Sequence, residues 1–182
     1  MILIGVGHRA QQGKSEFCDT IIEHCGRTGL RYCEYSISDL ILRYCIDNNL
    51  LPEMRREDCS SEQIQLLVKI GNEKRAENEF FWLDQIRAAI VRDKPKVALI
   101  PNVRFPNEAE FVKSLNGVNV RVKRYNANGT DFISSCRDPN DQTECSLDFW
   151  RWDFEIRNMA GKQHWLRRQA IALLEYLQDG GK

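Results

Sequence analysis

The sequence predicts one α/β domain built on a doubly wound parallel sheet of about five strands. Three observations predict it: short apolar runs alternate with helical patterns, the first run leads into a glycine-containing turn that opens a helix, and the length suits one domain. A chain of 182 residues can bury about two-thirds of its unfolded surface without disulfides or a metal. The predicted domain spans residues 1–182, with a helical insertion at about 37–93 and a lid loop at about 124–145.

The first three elements are predicted to be a strand, a helix and a second strand. Ile2 to Val6 is a short apolar run, which is typical of a strand buried in a parallel sheet. Lys14 to Cys25 carries apolar residues at helical spacing, and Gly26 and Gly29 are expected to end that helix. Leu30 to Tyr35 alternates like a second strand.

The pattern from Ser36 to Arg92 is helical throughout, so we expect a helical insertion between two strands. Ser38 is expected to cap its first helix, and Ser60 or Ser61 its second. The three helices are marked by apolar residues at helical spacing: Leu40, Ile41, Tyr44 and Cys45; Ile64, Leu67, Val68 and Ile70; and Phe80, Phe81, Leu83, Ile86 and Ile90.

The second half of the chain is predicted to contain three strands, two helices and one long loop. The loop is predicted from its polar, turn-forming residues. In chain order the elements are a strand at Lys96 to Ile100, a helix at Asn107 to Leu115, a strand at Val118 to Val122, the loop at Tyr125 to Gln142, a short strand at Phe154 to Ile156 and a helix at Gln163 to Leu177.

Charge and cysteine usage exclude several classes of protein. Lys and Arg number 26 and are balanced by 26 Asp and Glu, which argues against a large, indiscriminate nucleic-acid clamp. The seven cysteines are far apart and form no C-x-x-C pair, so we expect reduced thiols. Without a signal-peptide pattern or a membrane-length apolar run, we expect no membrane partner and a cytoplasmic location.

The segment from Gly5 to Ser15 has the features of a Walker A phosphate loop, because it follows a predicted strand and opens a predicted helix. Backbone N–H groups at a helix N-terminus attract anions. Lys14 would contact the β- and γ-phosphates of ATP, and the Ser15 hydroxyl would join the shell of a magnesium ion. The residues predicted to bind this cofactor are His8, Arg9, Ala10, Gln11, Gln12, Gly13, Lys14 and Ser15.

The loop departs from the Walker A pattern at one position. His8 stands where the first glycine is expected, and Gly7 lies one residue too early. Either His8 adopts an unusual backbone conformation or the loop is one residue longer. We expect His8 to serve loop geometry or hydrogen bonding rather than catalysis.

A second motif, Val-Arg-Phe-x-Asn-Glu at Val103 to Glu108, follows a buried strand, at the end where α/β sheets bind ligands. With the phosphate loop it resembles the deoxynucleoside monophosphate kinases of bacteriophages, including related phage P-loop kinases that act on 5-hydroxymethyluracil in DNA. The resemblance extends to Leu66 to Glu73 and to Phe81-Trp82 in the insertion. It reappears at Thr143, Glu144, Leu147, Asp153, Ile156 and Asn158.

The resemblance implies a P-loop kinase core, with ATP and Mg2+ as cofactors. It implies that Lys14, Arg104 and Arg124 are catalytic, with Arg104 at the acceptor site and Arg124 in the lid, and that Ser15 is the metal residue. The implied partner is a nucleotide acceptor, and a homodimer is left open. The alternative for Arg104 is a structural ion pair with Glu108 or Glu110.

Three positions depart from the family pattern. Asn102 replaces an aspartate, Asp141 stands where a histidine is frequent, and Ser15 replaces a frequent aspartate, which restores the usual Walker residue. The change at position 102 removes a candidate for the catalytic base or for a ligand of magnesium-bound water. Substitutes without a spacing argument are Asp39, Glu73 and Asp141.

Three functions follow, with phosphorylation of a deoxynucleoside monophosphate as the leading one. The second is phosphorylation of 5-hydroxymethyluracil in phage DNA, where basic residues near the lid would line a DNA groove; in the alternative interpretation they form a solvated lid that touches only ATP. These residues are Arg121, Lys123, Arg124 and Arg137, with Tyr125. The third is a catalytically inactive nucleotide-binding protein, which only Asn102 supports.

Overall fold

The structure is a computed structural model that describes residues 1–135, 138 and 140–181. Within these residues five strands, seven α-helices and one 3-10 turn follow one another. The strands are β1 Ile2–Gly7, β2 Tyr32–Glu34, β3 Val97–Val103, β4 Val118–Tyr125 and β5 Phe154–Met159. The helices are α1 Lys14–Thr28, α2 Ile37–Asp47, α3 Ser61–Glu77, α4 Phe81–Asp93, α5 Pro106–Ser114, α6 Gln142–Cys145 and α7 Gln163–Gln178, with the 3-10 turn at Arg56–Asp58.

In the described part of the chain the strands form one sheet in the order β2-β3-β1-β4-β5, with every neighbouring pair parallel. β1 lies at the centre and pairs with β3 on one side and with β4 on the other. The carboxyl ends of these three strands therefore meet at one edge of the sheet, where open α/β sheets bind ligands. The predicted parallel α/β sheet of about five strands is confirmed.

Helices cover both faces of the sheet, so the predicted doubly wound arrangement is also confirmed. Ile4 and Val6 of β1 pack in the core that α1 and α7 close. On the opposite face a Cβ at Gly5 would collide with Val112 of α5. The alternation of side chains along a strand places these two sets on opposite faces.

Three elements differ from their predicted boundaries. α1 runs through Gly26 to Thr28, and Gly29, with φ 69°, ends it. Ser36, not Ser38, caps α2, since its side chain accepts a hydrogen bond from the Asp39 N–H. β3 continues beyond Ile100 to Val103, which pairs with Gly7 after a break in register.

Two other sequence predictions have clear outcomes. Ser60 rather than Ser61 caps α3, in a capping box with Gln63. The short helix α6 begins at Gln142, where the predicted loop ends, and lies within the predicted lid region of about 124–145. Its one-turn length and polar composition gave no periodic signal.

The described chain divides into two compact units, Met1–Glu34 with Lys94–Lys182, and Tyr35–Asp93. The second unit contains α2, α3 and α4, as the predicted insertion requires. Its centre is Trp82, which is buried and donates from Nε1 to the carbonyl of Gly71 at 3.2 Å. The assignment of all 182 residues to a single domain stays a prediction. No helix among the described residues has the length and apolar character needed to cross a membrane.

We expect Phe17→Ala to lower the free energy of unfolding by about 3–5 kcal/mol, because it leaves a cavity in the core between α1 and the sheet. Phe17 is fully buried, whereas Phe149 is fully exposed and serves as a matched control. Urea denaturation followed by circular dichroism measures both variants. Equal effects of Phe17→Ala and Phe149→Ala would contradict this core.

Candidate phosphate-binding site

The connection from β1 to α1 is a loop of six residues, 8 to 13, held in an unusual backbone conformation. Three of them have positive φ: His8 at 84°, Gln11 at 55° and Gly13 at 103°. Of the two alternatives that the motif left open, His8 adopts the unusual backbone conformation. Such angles strain residues with a Cβ, so they persist only where neighbouring contacts hold them.

Gly13 is required at the end of the loop by conformation and by space. It caps α1 without a side-chain hydrogen bond, which leaves the N-terminus of the helix open to an anion. A Cβ on Gly13 would collide with the Asn158 side-chain amide. That amide donates to the carbonyl of Gln12 at 2.9 Å, so β5 fixes the loop from behind.

Lys14 begins α1 and folds back over the loop. Its side chain is buried, and Nζ donates to the carbonyl of Arg9 at 2.7 Å. A buried ammonium held against the loop adds a positive charge where the helix dipole is also positive. The phosphate loop is thus electropositive from both backbone and side chain.

A cavity of about 570 Å³ opens over this loop. It brings together the three residues predicted to be catalytic, although Lys14 and Arg124 are 110 positions apart in the sequence. The lining residues are Ala10, Gln11, Gln12, Gly13, Lys14, Ser15, Asn102, Arg104 and Arg124. Of the eight residues predicted to bind the cofactor, six line this cavity, and His8 and Arg9 do not.

His8 and Arg9 turn instead toward Asp148. Arg9 forms a bidentate ion pair with the Asp148 carboxylate, at 3.2 and 2.6 Å, and His8 Nε2 lies 3.2 Å from the same carboxylate. The Trp152 ring meets His8 edge-on, and a Cβ at Gly7 would collide with that indole. These contacts hold the start of the loop.

The pKa of His8 is lowered from 6.5 to about 4, and burial is the largest cause. The positive charges of Arg121 and Arg9 act in the same direction, whereas the hydrogen bond and charge of Asp148 act in the opposite direction. Nδ1 is buried without a hydrogen-bond partner among the described residues, so a second proton on the ring would have no acceptor. His8 is therefore neutral at physiological pH, as a structural role requires.

Gln12 connects the loop to the segment after β4. Its buried side chain accepts from the Arg124 N–H at 2.6 Å and donates to the carbonyl of Phe132 at 3.3 Å. The Arg124 guanidinium stacks on the Phe132 ring, 4.4 Å from its centre. Gln12 thus places the backbone from which Arg124 reaches the cavity.

Arg104 forms an ion pair, but with a partner that neither the prediction nor its alternative named. Nη1 contacts the Glu144 carboxylate at 2.5 Å and donates to the Thr143 carbonyl at 3.0 Å. Glu108 accepts from the backbone N–H groups of Arg104 and Phe105 instead. The alternative interpretation of Arg104, a structural ion pair, thus holds in kind but not in partner: Glu108 is bonded to backbone N–H groups at the start of α5, and α6 brings Glu144 to the guanidinium instead.

Asn102, which replaces the family's aspartate, lies in the cavity, whereas Asp141, one of the acidic residues suggested as substitutes, does not line it. Asn102 lines the cavity at the end of β3 with φ 59°, a conformation that Asn adopts more readily than most residues. Asp141 caps α6 by accepting from the N–H and hydroxyl of Thr143. Asp39 and Glu73 belong to the unit Tyr35–Asp93, and their suggested role stays a prediction.

Two of the four basic residues proposed to line a DNA groove are paired with acids. Lys123 contacts Asp131 at 2.8 Å, and Arg121 lies 3.9 Å from Glu155. Arg137 lies outside the described residues. Arg124 lines the cavity instead.

The side chains present fit a magnesium ion that arrives with a nucleotide. In the part of the chain that the structure describes, no cluster of three metal-binding side chains occurs. Mg2+ commonly binds substrate phosphates and water with few protein ligands. The exposed Ser15 hydroxyl, at the cavity, is the protein oxygen placed to join such a shell.

No protein-family model matches this chain, and no curated protein matches it. Solved structures of other proteins are similar, among them the following two. A cysteine-to-alanine mutant of the Mycobacterium tuberculosis APS kinase CysC is 10% identical, with 96% of each chain covered and a TM-score of 0.48. An unliganded sugar kinase from Janibacter sp. HTCC2649 is 11% identical, with 100% of this chain and 99% of that chain covered and a TM-score of 0.46. Neither similarity is close enough to bear on activity.

We expect the free energy of unfolding to fall as the pH drops from about 6.5 to about 4. In that window the unfolded chain binds a proton at His8 and the folded chain does not. His8→Asn, which tolerates positive φ, should flatten this part of the curve, and His164→Asn on the surface should not. Denaturation at several pH values measures it; an unchanged slope in His8→Asn would contradict the buried neutral state.

Proposed function

We propose that this protein transfers the γ-phosphoryl group of ATP, bound with Mg2+, to a deoxynucleoside monophosphate. The observation that carries the proposal is the convergence of Lys14, Arg104 and Arg124 on one cavity over an open helix N-terminus. A triphosphate beside a monophosphate concentrates negative charge, and such a cavity neutralises it. Kinase resemblance in the sequence motifs supports the same conclusion.

The proposed roles follow from position. The loop and Lys14 would hold the β- and γ-phosphates, Ser15 would join the magnesium shell, and Arg124 would lie against the transferring group. The bond from the γ-phosphorus to the bridging oxygen breaks, ADP leaves, and a bond to the acceptor oxygen forms. Such a transfer depends on positioning and charge cancellation rather than on covalent help.

Arg104 is suited to the phosphate of the acceptor. Its contacts with α6 use Nη1 alone, and Nε and Nη2 have no partner among the described residues. These two nitrogens form the edge of the guanidinium that binds a phosphate through two parallel hydrogen bonds. The side chain is both held in place and open on its binding edge.

The lack of acidic side chains in the cavity favours a monophosphate over an alcohol as the acceptor. Among the described residues that line the cavity, none is an aspartate or a glutamate. A phosphate oxygen is already ionised and needs no general base, whereas the hydroxyl of 5-hydroxymethyluracil must lose a proton during attack. Asn102 in place of an aspartate is consistent with the first acceptor and leaves the second without a base in the cavity.

The experiment is the transfer of radiolabelled γ-phosphate from ATP, with each deoxynucleoside monophosphate and a duplex containing 5-hydroxymethyluracil offered in parallel. We expect label on one or more mononucleotides. Label on the duplex alone would replace the proposed acceptor by the DNA base. No label on either, with ATP bound, would favour an inactive nucleotide-binding protein.

We expect Lys14→Ala to lower the rate of transfer by at least about a hundredfold, because it removes a charge partner of the transferring group. Lys96→Ala is the matched control, since Lys96 is exposed and precedes β3 at the opposite end from Asn102. Thermal unfolding checks that both variants fold. Near-normal turnover of a folded Lys14→Ala variant would refute the role of Lys14.

A further inference from the structure

We propose that Glu144 is a positioning residue that fixes Arg104 and the phosphate loop with one carboxylate. The proposal rests on the proposed function, which gives the loop and Arg104 their ligands. Glu144 lies on α6, more than 130 positions from the loop in the sequence, with 4% of its surface exposed. It does not line the cavity, so it acts through the groups that do.

The two carboxylate oxygens of Glu144 have different partners. Oε2 accepts from the backbone N–H of Ala10 at 2.6 Å, and Oε1 contacts Arg104 Nη1 at 2.5 Å. Ala10 belongs to the phosphate loop, and Arg104 follows β3, a strand that pairs with the central strand β1. One side chain therefore sets the distance between the loop and the acceptor-site arginine.

A carboxylate side chain suits both partners at once. Ala10 N–H and the Arg104 guanidinium are donors, and a carboxylate offers an acceptor to each. A glutamine of the same shape would place its NH2 group against one of the two donors. A buried donor that faces another donor loses its hydrogen bond and its solvation, which costs about 1–3 kcal/mol.

The surroundings hold both partners of Glu144 in register. Asp141 caps α6 by accepting from Thr143 N–H at 2.8 Å, and the Thr143 carbonyl accepts from the same Arg104 nitrogen as Glu144. On the other side, Glu108 accepts from the Arg104 backbone N–H at 2.7 Å. The backbone and the Nη1 corner of Arg104 are thus fixed separately, which leaves its phosphate-binding edge with one orientation.

This arrangement predicts a specific kinetic pattern for Glu144→Gln. The loss at Ala10 should weaken the binding of a non-hydrolysable ATP analogue with Mg2+, and the loss at Arg104 should raise KM for the acceptor, each by about tenfold. Arg104→Ala should raise only the KM for the acceptor. In the double variant the acceptor effect should not exceed that of Arg104→Ala, whereas the effect on ATP-analogue binding should persist.

The measurements are calorimetric titration with the ATP analogue and steady-state kinetics with the monophosphate that the wild type accepts. Glu110→Gln is the matched control, since it removes the same charge from an exposed position on α5 and should change neither value. A folded Glu144→Gln variant with wild-type affinity for both ligands would overturn the proposal. The proposal would also be overturned if the increases in acceptor KM caused by Glu144→Gln and Arg104→Ala were additive in the double variant. Additivity would mean that Glu144 affects the acceptor independently of Arg104, as a general loss of stability would.

Wild-type measurements separate this proposal from the proposed function. If the wild type binds the analogue and transfers phosphate while Glu144→Gln leaves both unchanged, only the role of Glu144 fails. If the wild type binds no analogue, the proposed function fails, and the role of Glu144 fails with it.

If Glu144→Gln does not fold, Arg104→Lys takes its place as the test variant. A single ammonium cannot both keep the contact with α6 and present two nitrogens to a phosphate. An acceptor KM near wild type in Arg104→Lys would overturn the proposal.

Discussion

The phosphate loop is held in a conformation that its own sequence does not favour. His8 and Gln11 carry side chains at positive φ, and Lys14 is buried beside them. Contacts from later in the chain hold this arrangement: Asp148 and Trp152 at the start, Glu144 in the middle and Asn158 at the end. The cavity depends on this constraint, because a relaxed loop would neither leave the helix N-terminus open nor keep Lys14 over it.

The same contacts connect the loop to the arginines of the site. Gln12 is bonded to the backbone of Arg124, and Glu144 is bonded to the side chain of Arg104. A polar network of this kind is worth most when every member is satisfied, because an unpaired group in a buried setting is costly. Loop geometry and the placement of positive charge are therefore one structural feature rather than two.

Much of this could be predicted from the sequence, because local patterns carry the information. The apolar runs gave the strands, Gly13-Lys14-Ser15 after β1 gave the loop, and parallel strands bring their carboxyl ends together, which placed Arg104 beside it. The partners of the loop could not be predicted. Glu144 and Asp148 are single acids in a polar stretch without periodicity, and their contacts span 134 to 140 positions. No local sequence pattern distinguishes such a buried acid from a solvated one, although Glu144 is one of the positions that resemble the phage deoxynucleoside monophosphate kinases.

We propose that the loop between β1 and α1 binds the phosphates of ATP. The most direct measurement follows the backbone amide resonances of 15N-labelled protein during titration with a non-hydrolysable ATP analogue and Mg2+. We expect saturable shifts at Gln11 to Ser15, where the open N–H groups of the loop and helix meet the anion. A ligand that binds and leaves these resonances in place while shifting others would contradict the claim.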